Sequence, residues 1–386
     1  MTMNRRKALR FLSGSCAALA AVTAGGTAFV LTREPSRALL PWEAAAAAKG
    51  EPRLRALAYA VLAPNPHNRQ PWLFDLEGPD GLAVYCELDR RLPETDPEDR
   101  QITIGFGCLL ELLDLAAAEL GYRLAIEPFP EGAAGPRLDR RPVVRVRWRQ
   151  DPARPKDPLF RQALARRTNK GPFDRNRAVP TEGLARLRGA ARAPARVGFN
   201  VEGEKLRLLR DLTWRAHQVE VGTPRTLMES VRLMRIGKAE IEASPDGIDI
   251  GGAFPEALGL VGVLTRETLG DPSSEAFRQG LARYDAIINS AMAHLWITTP
   301  GNSRREQLET GRDWLRINLA ATAQGLGIHP LSQPLQEYPE MAPLFAEVHR
   351  ALDADDGRVQ MLARLGYGPE VPPSPRWPLE TRMRPR

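Results

Sequence analysis

The chain has 386 residues, of which 43% are hydrophobic and 26% charged, and a formal charge of +7. That length accommodates two domain-sized units, and the composition is that of a globular chain, not a disordered one. The excess charge is mostly arginine interleaved with acids, and aromatics make up only 6%. The concentrated basic stripe of a nucleic-acid binder is therefore missing, and no nucleic-acid partner is expected.

The chain begins 1-MTMNRRKALRFLSGSCAALAAVTAGGTAFVLTREPSR-37, with Arg5 and Arg6 ahead of a run from Phe11 to Thr32 that carries no charge. A twin arginine before a weakly apolar stretch is the pattern of a Tat export signal. At about 1.5 Å per helical residue the run is also long enough to cross a bilayer. Val22-Thr23-Ala24 and Gly26-Thr27-Ala28 are weak cleavage candidates. Residues 1–37 thus read as a Tat-type signal that is either removed or kept as a membrane anchor. The expected location is the periplasm or the outer face of the inner membrane, with the Tat export machinery as a partner. Tat carries folded proteins, which favours a chain that acquires a cofactor before export. Residues 38–52 read as a spacer or a first short helix.

Beyond the signal, the expected elements alternate. Leu82–Leu88 (LAVYCEL) reads as a strand and Gln101–Gly121 as a buried helix stopped by its glycine. Leu124–Ile126 and Val143–Trp148 (VVRVRW) read as strands, the second with one wet face. The stretch 151-DPARPKDP-158 reads as a linker, followed by a helix over Leu159–Arg167. Met292–Thr298 (MAHLWIT) then reads as a strand, Glu306–Gly325 as a helix and Ile328–Ser332 as extended. The two long helices end alike, 115-LAAAELG-121 and 319-LAATAQG-325, offset by 204 residues. Together with the strand before each, this predicts an internally duplicated α+β chain with a first half over 38–150 and a second over 151–386. Residues 214–252 have no counterpart in the first half and read as a lid or an inserted helical hairpin.

Cys16, Cys86 and Cys108 lack C-x-x-C spacing, which argues against a thiolate zinc site. Cys86 and Cys108 are either one disulfide or two buried small hydrophobes, and the second reading is preferred. No G-x-G-x-x-G follows a strand, no H-E-x-x-H occurs, and the five histidines are scattered. No metal site is predicted.

Two polar motifs stand out. The segment 63-APNPHNRQPW-72 packs hydrogen-bonding side chains into a loop that proline stiffens, and 166-RRTNKGPF-173 pairs two guanidinium groups with a hydroxyl. The first resembles the A-P-S-x-x-N-x-Q-P-W signature of the nitroreductase superfamily and the second its R-R-S-x-R-x-F element, with Lys170 in place of the arginine. Their order is the reverse of that in ordinary nitroreductases. With the twin arginines, it resembles the exported Acg-like branch, in which two nitroreductase halves are fused. The resemblance spans roughly residues 50–380.

The resemblance implies a nitroreductase-like fold, mixed sheets flanked by helices, with FMN held between the two halves and one site retained. It assigns Asn68 and Gln70 to the ribityl chain or ring edge, and Arg166, Arg167, Thr168 and Asn169 to the phosphate end. His67 is either a structural hydrogen-bonder or a ligand contact. Leu331, Ser332 and Gln333 in 325-GLGIHPLSQ-333 fall where the family places groups near the ring, and Arg376 in 364-RLGYGPEVPPSPRW-377 is the closing basic residue. Trp72 is expected beneath the loop. No catalytic side chain is named, because a flavin ring accepts and delivers hydride itself. The expected function is an FMN-dependent oxidoreductase acting on a quinone, a nitro compound or another acceptor. Its donor outside the cytoplasm would be a redox partner or a membrane quinol. The alternatives are a protein that sequesters FMN without turnover and a structural envelope protein that has lost the flavin.

Overall fold

The computed structural model describes residues 32–133 and 135–385. The twin arginines and the uncharged run as far as Leu31 lie outside the described residues.

In the first half, β1 (Trp72–Glu77) and β2 (Gly81–Cys86) form a hairpin. The helix Arg100–Glu119 follows, then β3 (Tyr122–Pro128) and β4 (Val144–Gln150). These strands pair antiparallel in the order β1-β2-β4-β3. In β4, Val144, Val146 and Trp148 are buried while Arg147, Arg149 and Gln150 are exposed, which is the period-two pattern of a sheet with one face in water.

The second half has β5 (Val197–Asn200), then β6 (Met234–Ile236) and β7 (Ile248–Ile250) as a separate parallel pair. It continues with β8 (Ala293–Thr299), the helix Arg304–Ala323, β9 (Gly327–Pro330) and β10 (Arg358–Gly366). Its main sheet runs β5-β8-β10-β9, antiparallel throughout. Matched in sequence order, β1, β2, β3 and β4 correspond to β5, β8, β9 and β10, with one long helix after the second strand of each half. The duplication expected from the repeated L-A-A-x-x-x-G endings is thus an equivalence of whole sheets.

The two long helices cross at the centre. A Cβ on Gly107 would lie 2.0 Å from the Leu308 carbonyl oxygen and 2.8 Å from Gly311 Cα, and one on Gly311 would lie 1.9 Å from the Ile104 carbonyl oxygen. Only glycine allows this approach at both positions, and the two are again 204 residues apart. Each helix also sends its first arginine into the other half. Arg100 donates to the Gln360 and Leu335 carbonyls, at 2.7 and 2.8 Å, and Arg304 donates to those of Glu98 and Pro136, at 2.7 and 2.8 Å. Among the described residues, Arg100–Glu119 is the one helix long and apolar enough to cross a membrane, and it is buried as the core of the first half.

The halves differ in one connection. Residues 78–80 join β1 to β2, whereas residues 201–292 lie between β5 and β8. That insertion holds six helices, Gly203–Gly222, Pro224–Leu233, Gly237–Ala243, Ala253–Leu260, Arg266–Gly270 and Glu275–Asn289, around the β6–β7 pair. It is longer than the 214–252 stretch expected from sequence. The helix expected over Leu159–Arg167 is instead a short 3-10 turn, Pro158–Gln162, capped by Asp157. The chain leaves helical geometry there because it crosses between halves, and the Asn169 N–H donates to the Ile328 carbonyl of β9. The C-terminal segment returns the other way, with the Arg384 N–H donating to the Phe74 carbonyl of β1 and the Arg376 N–H to that of Ala38. Cys86 and Cys108 are free and buried.

Candidate functional site

A cavity of about 430 Å³ opens where the two halves and the insertion meet. It is lined by the loop 64–68, the N-terminal end of the Arg100–Glu119 helix, Arg166, Thr168, Lys170, Ser332, Gln333 and Arg376, with an outer wall from the insertion. The proline loop and the paired-arginine segment, about one hundred residues apart, therefore share a cleft.

The loop is held in an unusual backbone. His67, Asn68 and Gln70 have φ of 45°, 51° and 49°, left-handed values that non-glycine residues rarely adopt. Side chains enforce them. The Asn65 carboxamide oxygen accepts from the Gln70 N–H at 2.7 Å, and the Asn68 amide donates to the Pro375 carbonyl at 3.0 Å while its oxygen accepts from Arg376 at 2.6 Å. Gly105 lets the loop rest on the helix, since a Cβ there would sit 3.1 Å from Asn65 Cβ. Trp72 lies buried beneath, edge-on to Phe106. His67 lines the cleft with its Nδ1 unpartnered. Burial, aided by Lys170 and Arg69, lowers its pKa to about 4, so the ring is neutral near pH 7.

The cations beside the loop are the most telling feature. Arg166 is 3% exposed and donates from Nη2 to the Leu62 carbonyl at 3.2 Å, leaving Nε and Nη1 without partners. Arg376 is 2% exposed, donates to the Leu62 and Ala63 carbonyls at 3.0 and 3.2 Å, and keeps Nε unpartnered. Burial and the neighbouring Arg167 lower the pKa of Arg166 to about 10, and burial with Arg166 and Arg167 lowers that of Arg376 well below its usual value. Glu220 is the one carboxylate among the lining residues. Two buried guanidinium groups with idle donors and no carboxylate partner form a receptor for an anion, because unpaired buried charge is costly.

The opposite wall is aromatic and polar. His217 stacks on Tyr284 at 3.7 Å between ring centroids, and Gln333 donates to the Tyr284 hydroxyl at 3.1 Å. His329 Nδ1 accepts from Arg364 at 3.0 Å, which leaves its Nε2 to carry the proton. Glu220 is buried, with the Gln336 amide at 3.4 Å, and burial raises its pKa to about 7.

Of the residues singled out from sequence, His67, Asn68, Arg166, Thr168, Ser332, Gln333 and Arg376 line the cleft. Four others do not. Gln70 is fully buried and clamps the loop, donating to the Pro245 carbonyl at 2.7 Å and accepting from the Trp377 N–H at 2.9 Å. Arg167 folds back onto the Leu164 and Arg166 carbonyls and lies over the Trp42 ring. Asn169 caps its own turn, accepting from the Gly171 N–H, and donates to the Pro369 carbonyl. Leu331 is fully buried in the core of the second half. Sequence reasoning missed Arg100, His217, Glu220, Tyr284 and His329, all cleft residues. His329 stood inside the quoted GLGIHPLSQ stretch and Arg100 at the start of the core helix, whereas the insertion residues carried no motif.

No family model matches the sequence. The chain is 26% identical over 331 residues to Rv3131 of Mycobacterium tuberculosis H37Rv, a protein assigned by name only as an NAD(P)H nitroreductase, covering 83% of this chain and 87% of that one. It is 35% identical over 75 residues to the acg protein of the same organism, named likewise, covering 19% of this chain and 22% of that one. Among solved structures, it aligns with a nitroreductase-type protein of Anabaena variabilis at a TM-score of 0.38 and 13% identity, covering 82% of this chain and 87% of that one. The FMN-dependent nitroreductase NfnB of Mycobacterium smegmatis, solved with NADPH, aligns at 0.32 and 17% identity, covering 54% and 87%. The similarity to Rv3131 runs through both halves, and the two motifs that carry the resemblance to the nitroreductase superfamily meet in one cleft.

Proposed function

We propose that this chain is an exported FMN-binding oxidoreductase of the nitroreductase type that passes electrons to a quinone, a nitro compound or another acceptor. The observation that carries the reading is the pair of buried arginines, Arg166 and Arg376, with unpartnered nitrogens beside the strained 64–68 loop. FMN combines a phosphate dianion with a polar chain and a flat ring. Arg166 and Arg376 would hold the phosphate, and Asn68, Ser332 and Gln333 offer amide and hydroxyl groups for the chain and ring edge. The cavity of about 430 Å³ falls in the size range of small-molecule sites. When bound, the flavin supplies hydride and electron transfer, while the chain binds it, orients it and excludes water. Relatives bear NAD(P)H nitroreductase names. For a protein exported by the Tat machinery, NAD(P)H is absent and the donor is a redox partner or a membrane quinol. The twin arginines and uncharged run within residues 1–37 support a location in the periplasm or anchored on the outer face of the inner membrane.

The test is the visible spectrum of protein purified with its signal intact. A flavin band that bleaches with a donor and recovers with a quinone or nitro acceptor supports the enzyme. A second reading is sequestration, favoured by the insertion walling the cleft. A flavin band reducible only by small strong reductants supports that reading instead. Colourless protein that takes up no FMN refutes both.

A further inference from the structure

Seven large apolar side chains stand exposed among the described residues, and four of them, Phe254, Leu260, Val261 and Val263, fall within one stretch of the insertion. Their exposures are 74%, 72%, 72% and 50%. They sit on the helix Ala253–Leu260 and the turn after it. The stretch 253-AFPEALGLVGVL-264 holds a single charge, Glu256. That carboxylate is already engaged, by the Arg33 guanidinium at 2.7 Å and the Lys238 N–H at 3.0 Å. A contiguous apolar surface without free charge marks an interface.

The chain itself says what covers it. The uncharged run Phe11–Thr32 ends beside this helix, where Arg33 pairs with Glu256 and the Thr32 carbonyl accepts from Lys238 of the adjacent Gly237–Ala243 helix at 3.1 Å. As a helix such a run covers about 33 Å, close to the roughly 30 Å of a bilayer's hydrocarbon core. On the reading that residues 1–37 are kept as a membrane anchor, on which this inference rests, the bilayer would lie beside the helix that carries Phe254 and Glu256. We propose that the surface formed by Phe254, Leu260, Val261 and Val263 seats in the lipid bilayer, docking the insertion onto the membrane. The same insertion walls the cleft through Met234 and Ile248, so the docked surface and the cleft belong to one structural unit. The inference does not depend on the flavin.

The full chain carrying Cys16→Ser and Val261→Cys, with a nitroxide on the new thiol, provides the test. Cys86 and Cys108 are buried and do not compete for label. The protein is reconstituted into phosphatidylethanolamine–phosphatidylglycerol vesicles, and relaxation by oxygen is compared with that by a water-soluble nickel chelate. Label at 261 is expected to lose collisions with the chelate and gain them with oxygen, while label at exposed Glu182→Cys keeps its chelate collisions. Two results overturn the proposal. One is a 261 label that stays as open to the chelate as the 182 label. The other is shielding that appears without vesicles and grows with protein concentration, which assigns the surface to a second copy of the chain.

Discussion

Glu220→Gln is expected to stabilise the protein at alkaline pH and leave it nearly unchanged in acid. Glu220 is buried, and burial outweighs the hydrogen bonds from Gln333, Gln336 and Ser230, raising its pKa from the ordinary 4.5 to about 7. The folded state therefore holds a proton that the unfolded chain releases between those two values. Stability is intact below pH 4.5, falls as pH rises toward 7 and is flat above. Each tenfold change in proton affinity is worth about 1.4 kcal/mol, so the full cost is about 3 kcal/mol, most of it developed above pH 5. Glutamine keeps the shape and stays neutral at every pH. Its amide can also serve the Gln336 Oε1, which has no partner. Thermal melts at pH 5 and pH 8 should show the variant gaining about 2 kcal/mol relative to the parent between the two, a rise in Tm of roughly 2 to 3 °C for a chain of this size. An equal response of the two proteins to pH, or a variant less stable at pH 8, would refute the assignment of Glu220 as a protonated buried carboxyl.

Arg166→Gln should weaken FMN binding by about ten- to a hundredfold, the loss of one charge-assisted contact, and leave riboflavin binding unchanged; fluorescence titration with the two flavins separates a phosphate role from general damage. Gly311→Ala places a Cβ 1.9 Å from the Ile104 carbonyl oxygen at the helix crossing, and should cost at least about 3 kcal/mol in denaturant melts.

The features legible in sequence are those whose cause is local. The two long helices are read within two residues of their observed starts, and each is followed by a glycine, Gly121 and Gly325, that stops it. The matching endings at Leu115 and Leu319 disclosed the duplication. What stayed hidden depends on partners distant along the chain. Gln70 looks like a ligand contact in its motif, and only the fold brings Pro245 and Trp377 to occupy both ends of its amide. Leu159–Arg167 has helical composition, but the crossing to β9 at Asn169 pulls the chain straight. The strands β1, β5 and β10 are not read from the sequence, although β1 is as long as β2 and β10 is the longest strand. Nothing near Glu220 or Tyr284 in sequence points to the cleft, since the insertion that carries them is placed by packing alone.

A duplicated fold raises the question of a second cleft, and the helix crossing answers it. An offset of 204 residues carries Arg100, Gly105 and Cys108, which line the cleft, onto Arg304, Glu309 and Arg312. Where Gly105 leaves room for the 64–68 loop, Glu309 carries a side chain paired with Arg192. Where Cys108 presents a small apolar wall, Arg312 is engaged with Glu111 at 2.7 Å and Asp114 at 3.2 Å. Arg304 is spent on the Glu98 and Pro136 carbonyls. The mate position is thus closed by groups that satisfy one another, whereas the cleft keeps idle donors on Arg166 and Arg376. An anion has something to gain at one position and nothing at the other. Saturation with FMN, measured by absorbance against protein concentration, should therefore give one flavin per chain. Two per chain would mean that the mate position opens at a cost smaller than these ion pairs imply, and one per two chains would mean that the cleft is completed by a second molecule.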